Sequence, residues 1–159
     1  MRHVLLLLPM MAGCEELGGS SNAAACPSAA DVPGATDVGF ASQSFDGGLA
    51  GDEAALNSTH ARLFLSRQSW EIQLDGRDDP IPAFDFETGD VILLDLPWIG
   101  CNDGGWQVDS VYVDTDAVVH VNATSTAPFE PSCDAFGWAG LLVEVDETDG
   151  RDVAVCAPQ

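Results

Sequence analysis

Apolar segments of strand length, separated by turn residues, fill the second half of the chain. Residues 90–96 are apolar almost throughout, which is typical of a central strand. Four later segments have strand-like apolar patterns: residues 106–113, 117–123, 139–145 and 151–156. Asp114-Thr-Asp116 predicts a hairpin between the first two, and residues 147–150 predict a turn between the last two. We therefore expect an antiparallel meander sheet of about five strands.

A short helix is predicted in the first half. Ser66 can cap a helix that runs to Leu74, because its hydroxyl can accept a hydrogen bond from a backbone N–H of the first turn. Trp70 and Leu74 would then lie on one face of this helix. Residues 38–45 alternate roughly and end at a glycine turn, and residues 61–66 have the pattern of a strand. The expected fold class is α+β, mainly β, with a meander sheet, one short helix and stabilising disulfides.

The N-terminus has the layout of a bacterial secretory signal. Arg2 precedes an apolar run at residues 4–11, and two small residues stand directly before Cys14. The run is shorter than the roughly 20 residues that a membrane-spanning helix needs. Met11-Ala-Gly-Cys14 resembles the lipobox of bacterial lipoproteins, which implies cleavage before Cys14 and lipidation of this residue. The alternative is an ordinary signal peptide that is cut elsewhere.

The predicted domain organisation has three parts. Residues 1–13 are the lipoprotein signal peptide. Residues 14–36 are small and polar and lack aromatic side chains, so we expect a flexible tether whose movement is limited from Cys26 onward. Residues 37–159 form a single β-rich globular domain. The expected location is extracytoplasmic, in a bacterial cell envelope, with a lipid anchor in a membrane.

The four cysteines that follow Cys14 agree with export. An even number in an oxidising compartment predicts two disulfides. Of the three pairings, we favour Cys101–Cys133, which would join two loops of one sheet, together with Cys26–Cys156, which would tie the start of the mature region to its end. A zinc site is disfavoured, because the chain has no C-x-x-C pair and its histidines stand apart.

The chain is strongly acidic. It has 26 Asp and Glu residues against five arginines and no lysine, for a formal net charge of −21. Such a surface repels phosphate backbones, so nucleic-acid binding is not expected. It also offers no basic patch to anionic lipids, so membrane attachment would depend on the acyl anchor. Cation binding or a basic partner is one interpretation. We favour solubility, because the acidic residues are spread along the chain.

Two carboxylate pairs are candidates for chemistry. In an extended segment Asp85 and Glu87 would point the same way and could act as an acid–base pair. We favour a structural role, in which Asp85 ties a loop through backbone N–H groups while the neighbouring rings fill the core. Asp114 and Asp116 suggest calcium, but they lack the glycine and glutamate of an EF-hand loop and suit a turn. The chain also has no G-x-S-x-G motif. We predict no catalytic residue, no metal and no cofactor.

Two aromatic loops are the predicted binding surface. Residues 97–106 and 127–138 set bulky rings beside prolines and glycines, and a Cys101–Cys133 bond would hold both loops at one edge of the sheet. Exposed rings on a rigid platform form protein-binding patches. The alternative is that these rings cover the ends of the core. The candidate contact residues are Trp98, Trp106, Phe129, Phe136 and Trp138.

The order of features between residues 63 and 145 resembles that of the PrcB-like domain, a family named for an accessory lipoprotein of a bacterial surface protease complex. The matching features are Ser69-Trp70, Ile81-Pro82, Asp85-Phe86, the strand at 91–96 and Gly104-Gly-Trp106. The family usually has Thr-Gly-Gly-Tyr in the Gly-Gly-aromatic turn, and cysteines at the positions found here are not typical of it. The resemblance implies a non-catalytic role in stabilising or assembling a partner.

The predicted function is therefore that of a lipid-anchored extracytoplasmic domain, not an enzyme, that binds or stabilises another envelope or secreted protein. One alternative is a protease inhibitor that inserts the Gly-Gly-aromatic turn. Another is a carboxylate- or calcium-dependent enzyme acting on envelope polymers. The expected partners are a membrane, through the N-terminal lipid, and a second protein.

Overall fold

Strands paired into two sheets make up most of the structure. The structure is a computed structural model, and it describes residues 25–45, 49, 59–76, 82–99, 105–126 and 136–158. The elements are a 3₁₀ helix (Ala29–Asp31), β1 (Thr36–Asp37), β2 (Phe40–Ser44), β3 (His60–Phe64), α1 (Arg67–Gln73), β4 (Gly89–Ile99), β5 (Trp106–Val113), β6 (Val118–Ser125), β7 (Phe136–Asp146) and β8 (Asp152–Cys156). The fold class, mainly β with one short α-helix, is confirmed.

The described strands form two four-stranded sheets. Sheet 1 has the order β1-β5-β6-β8, and sheet 2 has the order β2-β7-β4-β3. Every strand pair is antiparallel except β6 and β8, which run parallel. The predicted hairpin is β5–β6, which closes over the turn at Asp114. The longest pairing joins β4 to β7, from Gly89 opposite Asp146 to Ile99 opposite Phe136.

Two sheets replace the single meander that was expected. The turn at residues 147–150 does not fold β8 back beside β7; it carries the chain across to the far edge of sheet 1. Asp90 holds the crossing, because its Oδ2 accepts hydrogen bonds from the backbone N–H and the hydroxyl of Thr148, both at 3.1 Å. Gly150 passes so close to Val119 that a Cβ atom would lie 2.2 Å from a methyl carbon. Only glycine fits this crossing without a shift of the neighbouring strand.

The physical reason for two sheets is that β4 and β7 carry apolar side chains on both faces. One face of sheet 2 packs against sheet 1, with Ile92, Leu94 and Leu96 in the core between the sheets. The opposite face packs against α1 and forms a second core, which includes Trp70. The members of the second core are Phe64, Trp70, Leu74, Phe84, Val91, Leu93 and Leu142, with Phe45, Leu49 and Phe86 at its margin.

Helix α1 follows the sequence prediction closely. The Ser66 hydroxyl accepts a hydrogen bond from the backbone N–H of Ser69, which confirms the predicted cap. Trp70 and Leu74 are 1% and 2% exposed, so the apolar face is buried as expected. The Trp70 indole N–H donates to the carbonyl oxygen of Pro82 at 3.2 Å, which satisfies its one polar group. The helix therefore closes one face of sheet 2.

The segment at residues 25–37, called the strap below, lies on the outer face of sheet 1. Cys26 is bonded to Cys156 of β8, which confirms one favoured disulfide. The Asn122 side-chain amide donates to the carbonyl oxygen of Pro27 at 2.6 Å. At the other end of the strap, β1 pairs with β5. Much of the segment predicted as a tether therefore contacts the domain through a covalent bond and backbone pairing, which need no apolar side chains.

Removing the strap disulfide tests how far it stabilises the fold. We predict that the double variant Cys26→Ser/Cys156→Ser unfolds with a free energy about 2–5 kcal/mol lower than the wild type, because the bond closes a loop across 130 residues. Urea unfolding under non-reducing conditions measures the difference. Ala30→Ser, at an exposed position of the same strap, serves as the control. Equal unfolding free energies for the double variant and the oxidised wild type would contradict this role.

Candidate functional site

The predicted aromatic surface is only partly described. Trp106 is 8% exposed and belongs to the core between the sheets, which corrects its assignment to a binding surface and matches the alternative that rings cover the core. Trp138 is half-buried. Trp98 and Phe136 lie on paired strands, β4 and β7, at one end of sheet 2. Phe129 lies outside the described residues.

The other predictions for the aromatic loops concern the same end of sheet 2. Ile99 ends β4 directly opposite Phe136, the first residue of β7, so the chain leaves and re-enters sheet 2 at one place. Cys101 and Cys133, the second favoured disulfide, belong to the intervening segments and lie outside the described residues. Their pairing therefore stays a prediction, as does lipidation of Cys14.

Strand β2 forms an edge of sheet 2 that no other described strand covers. All five of its residues, Phe40-Ala-Ser-Gln-Ser44, are exposed. None carries a charge, in a chain where 26 of 159 residues are Asp or Glu. The opposite edge strand, β3, consists mostly of half-buried residues. It also carries Arg62, whose guanidinium donates a hydrogen bond to the side chain of Gln73 in α1. Natural sheet edges are usually protected by charges, prolines or bulges, and β2 has no such protection.

The register of β2 determines which of its backbone groups face outward. The N–H of Asp146 donates to the Gly39 carbonyl at 2.9 Å, and the N–H of Phe45 donates to the Gly140 carbonyl at 3.0 Å. Because hydrogen-bonded and non-hydrogen-bonded pairs alternate in antiparallel sheets, Ala41 and Gln43 also bond to β7. The N–H and C=O groups of the even-numbered residues 40, 42 and 44 therefore point away from the sheet. They are the groups that a further strand would use.

A groove of about 370 Å³ lies beside this edge, on the face of sheet 2 that also carries α1. Ala41, Glu144 and Val91 stand side by side across its floor on three neighbouring strands. Its acidic members are Asp85, Asp90, Glu144 and Asp146, and its described lining contains no basic side chain. Asp90 is buried against Thr148, while the other three carboxylates belong to exposed residues. The groove therefore presents negative charge next to an open strand edge.

Asp85 has the structural role that the sequence favoured. Its Oδ1 accepts a hydrogen bond from the backbone N–H of Glu87 at 3.1 Å, and its carbonyl oxygen accepts from the N–H of Thr88 at 3.2 Å. Phe84 is 8% exposed and packs in the second core, with Phe86 at its margin. The loop thus ends at β4 with its rings inward and its carboxylates at the surface.

A second cleft, of about 450 Å³, lies where the strap meets the hairpin turn. Its walls include Asp37 of β1, Asp114 and the crossing at residues 146–149. The Asp114 carboxylate is occupied: Oδ1 accepts from the N–H groups of Asp116 and Val118, and Oδ2 lies 2.8 Å from His120 Nε2. This confirms the expected turn chemistry at Asp114.

His120 and Tyr112 stack across the β5–β6 pair, with ring centroids 4.6 Å apart and planes 5° from parallel. The hydrogen bond from His120, together with the backbone donors of the turn, holds the pKa of Asp114 below its usual value. Burial of the ring, together with the nearby charges of Asp114 and Asp31, raises the pKa of Tyr112. His120 thus connects the turn to the face of sheet 1 beneath the strap. The His120 side chain remains 27% exposed.

Comparisons with known proteins return no match among family models, curated proteins or solved structures. Function is therefore inferred from the chain's own residues. Within the described ranges, no group of three or more His, Cys, Asp and Glu side chains is placed to hold a metal ion. The same ranges contain no helix long and apolar enough to cross a membrane.

The β2 edge was missed in the sequence, although residues 38–45 were predicted to be extended. The available signal was a run of eight uncharged residues, 38–45, ahead of a glycine turn in a strongly acidic chain. Recognising an edge also requires knowing that β2 pairs with β7, about a hundred residues later in the chain, and local periodicity does not contain this information.

The Asp114–His120 contact predicts a specific acid response. A carboxyl whose folded pKa is depressed stabilises the fold above its unfolded pKa of about 3.9, and this contribution is lost as the pH falls through the lower folded value. We therefore expect the stability difference between wild type and Asp114→Asn to be constant near neutral pH and to shrink below about pH 4. Urea midpoints measured across pH test this.

Asp116→Asn, at an exposed carboxylate of the same turn, is the matched control. A difference between wild type and Asp114→Asn that stays the same from neutral pH down to about pH 2 would show that Asp114 does not contribute through its charge.

Proposed function

We propose that this protein is a lipid-anchored extracytoplasmic accessory that binds another envelope or secreted protein through the open edge of β2. The observation that carries the proposal is the exposure of β2 along its whole length, with outward backbone groups and no protecting charge. Extended segments of partner proteins add to such edges as a further strand, and backbone hydrogen bonds supply the affinity.

The location rests on the disulfide and on the N-terminal signal. The Cys26–Cys156 bond indicates an oxidising, extracytoplasmic compartment. The lipobox-like Met11 to Cys14 supports an anchor at Cys14. Eleven residues lie between Cys14 and Cys26, where the strap is fixed, and a chain of that length reaches at most about 40 Å. The domain would then present β2 within a narrow layer above the membrane.

The non-catalytic part of the proposal is supported by the carboxylates themselves. Asp85 and Asp90 are tied to loop backbone, and Asp114 is tied to its turn and to His120. The resemblance to the PrcB-like domain, whose founding member is an accessory lipoprotein, points in the same direction. A role in binding a partner protein fits the open edge of β2 and the short chain between the proposed anchor and the strap.

A proline at position 42 tests the proposal. Proline lacks the N–H group, and at Ser42 this group points outward, so Ser42→Pro removes a donor from the open edge and keeps the pairing of β2 with β7. We expect the variant to lose at least about tenfold in recovery of a stoichiometric partner from detergent-solubilised membranes of the native host, the effect of a loss of about 1.4 kcal/mol.

Ser42→Ala keeps the N–H group and should recover the partner as the wild type does. Urea unfolding of both variants shows whether the sheet is intact. Equal recovery by wild type, Ser42→Ala and a folded Ser42→Pro would contradict binding through β2.

A further inference from the structure

We infer that the segment received by β2 is an extended peptide with basic side chains at alternate positions, which pairs with β2 as a fifth strand of sheet 2. This inference rests on the proposed function and adds the chemistry of the partner. It follows from what lies on each side of the open edge: an acidic groove on one face of the sheet and an exposed aromatic ring on the other.

The strand geometry brings the groove within reach of the added strand. Neighbouring strands lie about 4.8 Å apart, so the backbone of the fifth strand would stand roughly 10 Å from that of β7. Between the two lies Ala41, whose side chain is a single methyl group and whose neighbour on β7 is Glu144. An arginine or lysine on the added strand, on the same face as Ala41, can extend over this methyl group to the Glu144 carboxylate. A larger residue at position 41 would block that path.

Charge selects the type of side chain. Glu144, Asp146 and Asp85 belong to exposed residues at the groove, and its described lining offers no basic group to neutralise them. Each such exposed pair contributes little by itself and is screened by salt. Several such charge pairs along a strand edge fix the register of the added strand and disfavour acidic segments. Backbone pairing would thus supply affinity, and the groove would supply the preference for basic residues.

The other face favours apolar residues between the basic ones. Phe40, Ser42 and Ser44 project to the side opposite Ala41, and Phe40 is 38% exposed. A β-branched or aromatic side chain on the added strand would pack beside this ring and cover it. Since successive residues of a strand point to opposite faces, the matching segment alternates basic and apolar side chains.

A second copy of this chain is the main alternative occupant, and its charge disfavours it. Pairing β2 with β2 about a twofold axis would place two acidic grooves side by side. Each chain also carries a formal net charge of −21, so the two copies repel each other. A basic segment removes this repulsion, whereas a second copy doubles it.

Selection from a library of random ten-residue peptides tests the inference. The full chain, purified in detergent and immobilised, is used as bait, and the Ser42→Pro variant is used in parallel. We expect the wild type to enrich peptides with arginine or lysine at every second position, and Ser42→Pro to enrich none of them. An enriched peptide, synthesised and measured by fluorescence anisotropy, should bind Ser42→Pro at least about tenfold more weakly, the equivalent of 1.4 kcal/mol.

Charge variants then test the groove. Glu144→Gln should weaken the same peptide about threefold or more and reduce the salt dependence of binding, because it removes one carboxylate at the groove. Glu71→Gln, at an exposed carboxylate of α1 outside the groove lining, should leave binding unchanged. N-methylation of alternate amides of the peptide should abolish binding in one of the two registers, because only one set of amides faces β2.

Three results would overturn the inference: enrichment of uncharged or acidic peptides, equal enrichment by Ser42→Pro, or a β2-dependent dimer in sedimentation at low salt. Its failure is distinguishable from failure of the proposed function. If partner recovery depends on the Ser42 N–H while selected peptides are not basic, the function stands and the partner chemistry is wrong. If recovery is insensitive to a folded Ser42→Pro, the proposed function itself is wrong.

Discussion

The need to bury both faces of β4 and β7 determines the rest of the architecture. Side chains of β4 alternate between the core that faces sheet 1 and the core that faces α1, and both sets are buried. A strand of this kind is stable only when each face of its sheet is covered. Sheet 1 covers one face. The Trp70 cluster covers the other, with ring contacts to Phe45, Phe64 and Phe84 at centroid distances of 5.9, 5.2 and 5.5 Å.

Covering both faces leaves the edges of the sheets to be protected separately, and the proposed binding surface lies at one of these edges. The strap is bonded to β8 and paired through β1 to β5, so it fastens across sheet 1 at both ends. On sheet 2, β3 lies beside α1 and carries Arg62, whereas β2 remains open and uncharged. In the proposed function, this open edge receives an extended segment of another protein.

Local chemistry was predictable from the sequence, and long-range pairing was not. The Ser66 cap, the buried face of α1 and the hairpin at Asp114 follow from neighbouring residues. The even number of cysteines predicted disulfides and left three pairings open, and the favoured Cys26–Cys156 bond is present. The split into two sheets and the parallel pairing of β6 with β8 depend on contacts between distant segments. Trp106 was misplaced for the same reason: a ring beside glycines looks exposed until the sheet that covers it is known.

Residue-resolved amide hydrogen exchange of the free protein tests the open β2 edge most directly. We predict alternation along the strand, with the amides of Phe40, Ser42 and Ser44 exchanging at least about tenfold faster than those of Ala41 and Gln43, because only the latter bond to β7. Uniform protection of all five amides would show that the edge is already covered, and it would contradict the proposed binding surface.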